Sequence, residues 1–473
     1  MLVAFAADRL FGFALIMIVT RWWSPASVGQ WTQVIALTGA FAVTTSLGLF
    51  QAHVRFAEES ADPRVRYSLQ LSIVTATTLA MGVLTLASMA MRRTVSHWAF
   101  GSDADVSLVL AACLLATSDL WIEFVTTQFR AQLQTGFTAG ALVGKAILRF
   151  LVVAPFALRS HVEVATIVGV LAALQAAAAL LAILVFFHGS RWLSTGFAPA
   201  AKLFRRALVM AAPTLLAAVA AQLFMTAERW FLARTFPAVI AHYNIGQQIA
   251  SNAMLAYIIL GSMLYPMMVR TWRAGDTAAT ASLQRDAITV YALVTLPALA
   301  ILPAISRAVV AVITTRYYEI DGVTMFLFML GAFGFGIHQL AGYALYVTER
   351  TRDLLLLLGG AAVGKVLLAG LLIPRWAEHA AALSWGISGT LLAVATVIRG
   401  RQLLTFSPPW RVYARGTAAA LAGGVAVALV CSRLQPGNRL GELGVGAAGV
   451  AAYFLFVWPD LRNALAFREA SPA

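Results

Sequence analysis

The 473-residue chain is 60% hydrophobic and only 11% charged, where an ordinary soluble domain carries about 25% charged residues. Its formal charge of +14 would raise the question of nucleic acid in a soluble protein, but a chain this apolar has lipid as its main solvent, and its basic residues then gather in cytoplasmic loops. The two cysteines, Cys113 and Cys431, lie in apolar runs, which points to neither a disulfide framework nor a cysteine-based metal site.

Apolar runs long enough to cross a hydrocarbon core of about 30 Å as helices recur from one end to the other. They predict fourteen spans, at 2–20, 31–52, 67–91, 106–129, 139–158, 163–187, 207–230, 243–269, 287–313, 323–347, 354–373, 380–398, 414–431 and 443–458. The first run contains Arg9 and has no small-x-small cleavage site, so it reads as a retained helix and not as a signal peptide. An even number of spans puts both termini on one side. The loops on that side hold about twice as many Lys and Arg as the opposite loops, so the termini are expected in the cytoplasm.

The fold class is therefore all-α and polytopic. A six-helix bundle is expected over 1–187, a basic cytoplasmic linker over 188–206, a second six-helix bundle over 207–398, and two C-terminal helices with a short tail over 399–473. A Pro-containing turn followed by an aromatic residue occurs at Pro25 to Trp31 and again at Pro237 to Tyr243, which fits duplicated halves. No loop is long enough for an extramembrane catalytic domain.

An ionisable side chain at a helix centre costs about 2.5–3.5 kcal/mol on insertion scales, so each needs a partner, a wet cavity or a ligand. In chain order the first are Asp8 and Arg9, which are adjacent and so cannot share a helix face. Asp119 and Glu123 share a face of the fourth span, and Lys145 and Arg149 share a face of the fifth. Counted from the cytoplasmic ends, Glu123 lies level with Lys145, and Asp119 with Arg149 one turn deeper. Two readings stay open for this hairpin: structural ion pairs, or a charged cavity lining. Glu228 and Arg229 near the outer end of the seventh span read as a gate or as an interfacial pair. Lys365, midway along the eleventh, reads as a cavity cation or as the partner of an acid on another helix. No metal-spaced His cluster, P-loop or Ser-His-Asp set occurs.

Three stretches carry a resemblance. The first runs from Asp8 to Glu59 and includes Phe11-Gly12-Phe13, Ser24-Pro25-Ala26-Ser27-Val28-Gly29-Gln30-Trp31 and Ser46-Leu47-Gly48-Leu49. The second runs from Ala207 to Arg273, with Ala212-Pro213, Glu228-Arg229, Tyr243-Asn244 and Tyr265-Pro266. The third is Ile373-Pro374-Arg375-Trp376 followed by Ala380-Ala381-Ala382. Together they resemble the Wzx-type polysaccharide flippases, in the superfamily that also holds lipid II flippases and multidrug exporters. Glu228 stands where that family commonly has an Asp.

The resemblance implies two bundles facing a central cavity and alternating access. It also implies an undecaprenyl-diphosphate-linked oligosaccharide as substrate, and a place in the bacterial inner membrane. Arg9, Lys145, Arg149 and Lys365 become the expected substrate-binding cations. Asp8, Asp119, Glu123, Glu228 and Arg229 become the expected coupling or gating groups. The expected partners are the bilayer, the lipid-linked oligosaccharide, the polysaccharide polymerase and chain-length machinery, and a coupling proton or sodium ion. Nucleic acid, a cofactor and enzymatic activity are not expected. Two alternatives remain: a multidrug or cation antiporter of the same superfamily, and a membrane glycosyltransferase or polymerase suggested by Asp103-Ala104-Asp105.

Overall fold

In lipid the backbone must satisfy its own hydrogen bonds, and apolar runs of this length do so as helices. The computed structural model describes residues 2–56, 62–103, 105–131, 135–158, 163–189, 200–435 and 437–465, and among them there are helices and turns but no strands. Two compact units divide the chain after Ala238. The first contains α1 (Leu2–Trp22), α2 (Pro25–Thr45), α3 (Leu49–Phe56), α4 (Pro63–Ala90), α5 (Arg92–Phe100), α6 (Val106–Ala131), α7 (Thr135–Ala157), α8 (Val164–Gly189) and α9 (Ala201–Thr235). The second contains α10 (Ile240–Ser251), α11 (Leu255–Arg273), α12 (Thr277–Ile301), α13 (Ser306–Ile313), α14 (Gly322–Val347), α15 (Thr351–Leu403), α16 (Trp410–Cys431) and α17 (Arg439–Leu465).

Eleven of the described helical runs are long and apolar enough to cross a membrane. The 53-residue α15 covers two predicted spans, because Ala377 (φ 47°, ψ −123°) breaks it between them. The first two predicted spans fall on α1, and on α2 with α3, so every one of the fourteen lies on helix. The chain is a multi-pass membrane protein.

Local chemistry sets the helix starts. Ser24 caps α2, accepting from the Ser27 amide, with Pro25 in the first helical position. Asp62 followed by Pro63 repeats the device at α4, Asp276 caps α12, and Asp321 caps α14 by accepting from the amides of Val323 and Thr324.

The structure departs from the sequence expectation at three places. The second span ends early, at Leu47 (φ 52°) and Gly48 (φ 67°). A side chain on Gly48 would strike the Ala211 carbonyl of α9, so glycine is needed there for approach as well as for conformation. The expected loop at 92–105 holds the two-turn helix α5, stopped by Gly101 in the left-handed conformation. The linker is shorter than expected, since Lys202, Arg205 and Arg206 already belong to α9, while Arg191 lies outside the described residues. Helix α9 packs on α2, α3 and α5 within the first unit, so the compact division falls one helix later than the expected linker.

The core of the second unit rests on glycine contacts. A Cβ on Gly334 would meet the Gly389 carbonyl oxygen at 2.5 Å, and one on Gly389 would meet that of Gly331 at 2.6 Å. Helices α14 and α15 thus touch backbone to backbone, as small residues allow in membranes.

Candidate functional site

The charges inside the first unit that the sequence singles out come from four helices, α1, α6, α7 and α9. On α6, Asp119 accepts a salt bridge from Lys145 Nζ of α7 at 2.7 Å, and the same carboxylate oxygen accepts the side-chain amide of Gln175 from α8. Asp119 and Lys145 are 18% and 25% exposed, so the pair is mostly shielded and its attraction is far less screened than at a surface. Gln175 is fully buried. The three side chains fasten α6, α7 and α8 together.

Arg9 on α1 and Arg149 on α7 are different. Helices α1 and α7 pack along each other, with the rings of Phe11 and Phe150 5.5 Å apart. Both arginines are half-buried, and the Nε of each is enclosed without a hydrogen-bond partner. Neither makes an ion pair among the described residues. A shielded charge without a counter-ion is costly, so these two arginines stand apart from the paired charges of the unit. Asp8 beside Arg9 is half-buried, and Glu123 on α6 is exposed.

Glu228 on α9 is fully buried. The neighbouring Arg229 carbonyl accepts from Gln33 Nε2 at 3.3 Å, and Gln33 also donates to the Ala99 carbonyl at 2.7 Å. One glutamine therefore ties α2, α5 and α9 beside the buried acid.

In the second unit Lys365 is fully buried, its ammonium 4.1 Å from the ring centroid of Trp385. Trp385 in turn donates Nε1 to the Phe328 carbonyl at 3.0 Å and lies against Gly331. Between α16 and α17 runs a groove of about 740 Å³, lined by Ala, Gly and Val, with Arg415 at one end. Arg415 pairs with Asp460 at 3.4 Å and lies over the Phe456 ring.

The profile of the family described as polysaccharide biosynthesis protein matches residues 1–272, more than half of the chain. The chain belongs to this family. Among solved structures it is similar to the lipid II flippase MurJ in an inward closed conformation, with TM-score 0.76 and 14% identity over 97% of this chain and 99% of that one. It is also similar to an inward-facing multidrug resistance MATE transporter of the MOP superfamily, with TM-score 0.70 and 12% identity over 84% of this chain and 94% of that one. A MOP superfamily transporter from Pyrococcus furiosus gives TM-score 0.60 and 11% identity over 85% and 93%. No curated protein matches the sequence. At these identities the solved structures establish the fold alone, one shared with MurJ and with MATE transporters.

Within this member of the polysaccharide biosynthesis family, the α6–α7 hairpin sits one turn away from the expected register. Lys145 meets Asp119 and not Glu123, and Arg149 meets neither acid. The expected depths came from span ends uncertain by a few residues, and one turn is about 5.4 Å. Gln175 was missed. Its signal is legible afterwards: it is the sole strongly polar residue in Val164–Phe187. Lys365 is packed into the core of its unit and lines no surface.

Proposed function

We propose that this protein is a flippase that carries undecaprenyl-diphosphate-linked oligosaccharide repeat units from the cytoplasmic to the periplasmic leaflet for surface polysaccharide synthesis. It would sit in the bacterial inner membrane with both termini in the cytoplasm, and work by alternating access. The observation that carries this reading is the pair of half-buried arginines on α1 and α7, each with an enclosed Nε that has no hydrogen-bond partner and no ion pair among the described residues, in a chain of the polysaccharide biosynthesis family. Planar guanidinium forks match diphosphate oxygens two at a time, and in a poorly screened site the attraction far exceeds that in water.

In this reading Arg9 and Arg149 bind the diphosphate. Lys145 and Asp119 hold the α6–α7–α8 framework that positions Arg149, and Lys365 fixes the second unit through Trp385. Glu228 and Arg229 act at the gate, and Asp8 and Glu123 respond to a coupling proton or sodium ion. The α16–α17 groove is apolar and open enough for a polyprenyl chain to lie in it. Flipping makes and breaks no covalent bond, so the chain has to bind and release its substrate and not to transform it.

The test is surface polysaccharide export in cells whose own copy is deleted. Arg149→Gln and Arg9→Gln should each reduce export about tenfold or more, the effect of one lost charge-assisted contact. Arg149→Lys should restore only part of it, because an ammonium lacks the fork. Full export by the Arg9→Gln/Arg149→Gln double variant would sink the cation-mediated mechanism.

A further inference from the structure

Three tyrosines of the second unit converge on one patch. Tyr265 of α11 lies 5.3 Å from Tyr343 and 6.3 Å from Tyr346 of α14, centroid to centroid, and Tyr343 and Tyr346 are 6.4 Å apart. Tyr265 and Tyr346 are 38% and 43% exposed. Tyr343 is half-buried. Its hydroxyl reaches into space that exists because residue 261 is glycine: a Cβ there would collide with it.

We infer that Tyr265, Tyr343 and Tyr346 form a neutral stacking platform for one sugar ring of the transported saccharide. This rests on the flippase reading above and adds to it the group that recognises the sugar, as distinct from the diphosphate. The chemistry is that of an aromatic face, which is electron-rich, against the C–H face of a pyranose, which is electron-poor, while the phenol hydroxyls of Tyr265 and Tyr346 meet sugar hydroxyls. Tyrosines also anchor helices at the lipid interface, where their amphipathic rings sit at the headgroup level. These three close on one another across two helices, and Gly261 makes room for the hydroxyl of Tyr343. Tyr343 and Tyr346 lie at the end of α14, which stops at Val347, and Tyr265 lies about two turns before the end of α11 at Arg273. On the proposed topology these are cytoplasmic ends, where the loaded repeat unit arrives.

The experiment measures binding to the full-length protein in nanodiscs with two probes, undecaprenyl diphosphate bare and undecaprenyl diphosphate carrying N-acetylglucosamine. The wild type should bind the sugar-bearing probe about tenfold more tightly, the sum of modest aromatic contacts. The Tyr265→Ala/Tyr343→Ala/Tyr346→Ala variant should lose that preference and keep its affinity for the bare probe. The corresponding triple Phe variant should retain most of the preference, since it keeps the rings. Tyr346→Ala alone, at the most exposed position, should lose part of it without disturbing the core, and it is the decisive variant if the triple Ala protein does not fold. The inference is overturned if the wild type binds both probes equally, if Tyr346→Ala keeps the full preference, or if a folded triple Ala variant weakens both probes alike, which would mark the tyrosines as lipid anchors. Wild type that binds neither probe removes the flippase reading itself.

Discussion

At the residue scale, the bonds around Asp119 decide which cations are free. Because Asp119 holds Lys145 and Gln175, removing its charge leaves an ammonium three-quarters buried without a counter-ion. Asp119→Asn should therefore destabilise the protein by about 1–3 kcal/mol, less than for a fully buried pair because water screens part of it. Lys145→Met in the same chain should recover most of that loss. Thermal unfolding of the two single variants and the double variant, taken as a cycle, measures the coupling, and additive losses would show that the pair contributes nothing. Asp321 offers a pH test outside the spans. Burial pushes its carboxyl up, but the Thr324 hydroxyl, the amides of Thr324 and Val323 and the nearby His379 outweigh burial and hold it below the usual carboxylate value. A folded-state pKa below the unfolded one contributes stability that is fully present above the unfolded pKa and is lost as pH falls through the folded one. Asp321→Ala should cost about 1 kcal/mol at neutral pH, and the difference from wild type should shrink as pH is lowered through the carboxylate range. The sequence made the charges conspicuous, because each interrupts an apolar run. It did not reveal their partners, because a shift of one turn exchanges them.

At the element scale, long apolar runs made the spans legible, and the breaks within them were less so. Helix α5 has only nine residues, too few turns for a periodic pattern to stand out. The early end of α2 depends on the approach of Ala211 to Gly48, a tertiary contact with no local signal. The kink in α15 was legible as an Ile-Pro turn, but its bend is carried by Ala377 in a left-handed conformation. Ala377→Gly should then stabilise the protein by up to about 1 kcal/mol, read as a higher unfolding temperature, since glycine meets no steric penalty there. Gly389→Ala should do the opposite. Its methyl would overlap the Gly331 carbonyl, and forcing α14 and α15 apart should cost about 1–3 kcal/mol. Equal stability of Gly389→Ala and wild type would mean that the two helices can separate freely.

At the scale of the whole molecule, composition and run length were enough for a many-helix membrane protein, and family membership follows from the match over residues 1–272. The sugar is not written in either, because contacts made by side chains from separate helices are displayed by no spacing in the chain. The central claim is that the protein moves a lipid-linked saccharide across the bilayer by offering Arg9 and Arg149 to its diphosphate. The most direct measurement is transbilayer movement in proteoliposomes, using undecaprenyl diphosphate that carries a short labelled saccharide and a membrane-impermeant enzyme to report what reaches the far leaflet. The account predicts transfer with wild-type protein, little transfer with Arg9→Gln/Arg149→Gln, and wild-type thermal stability in that variant. Wild-type protein that moves no more saccharide than protein-free vesicles, or a double variant that moves it at the wild-type rate, would contradict it.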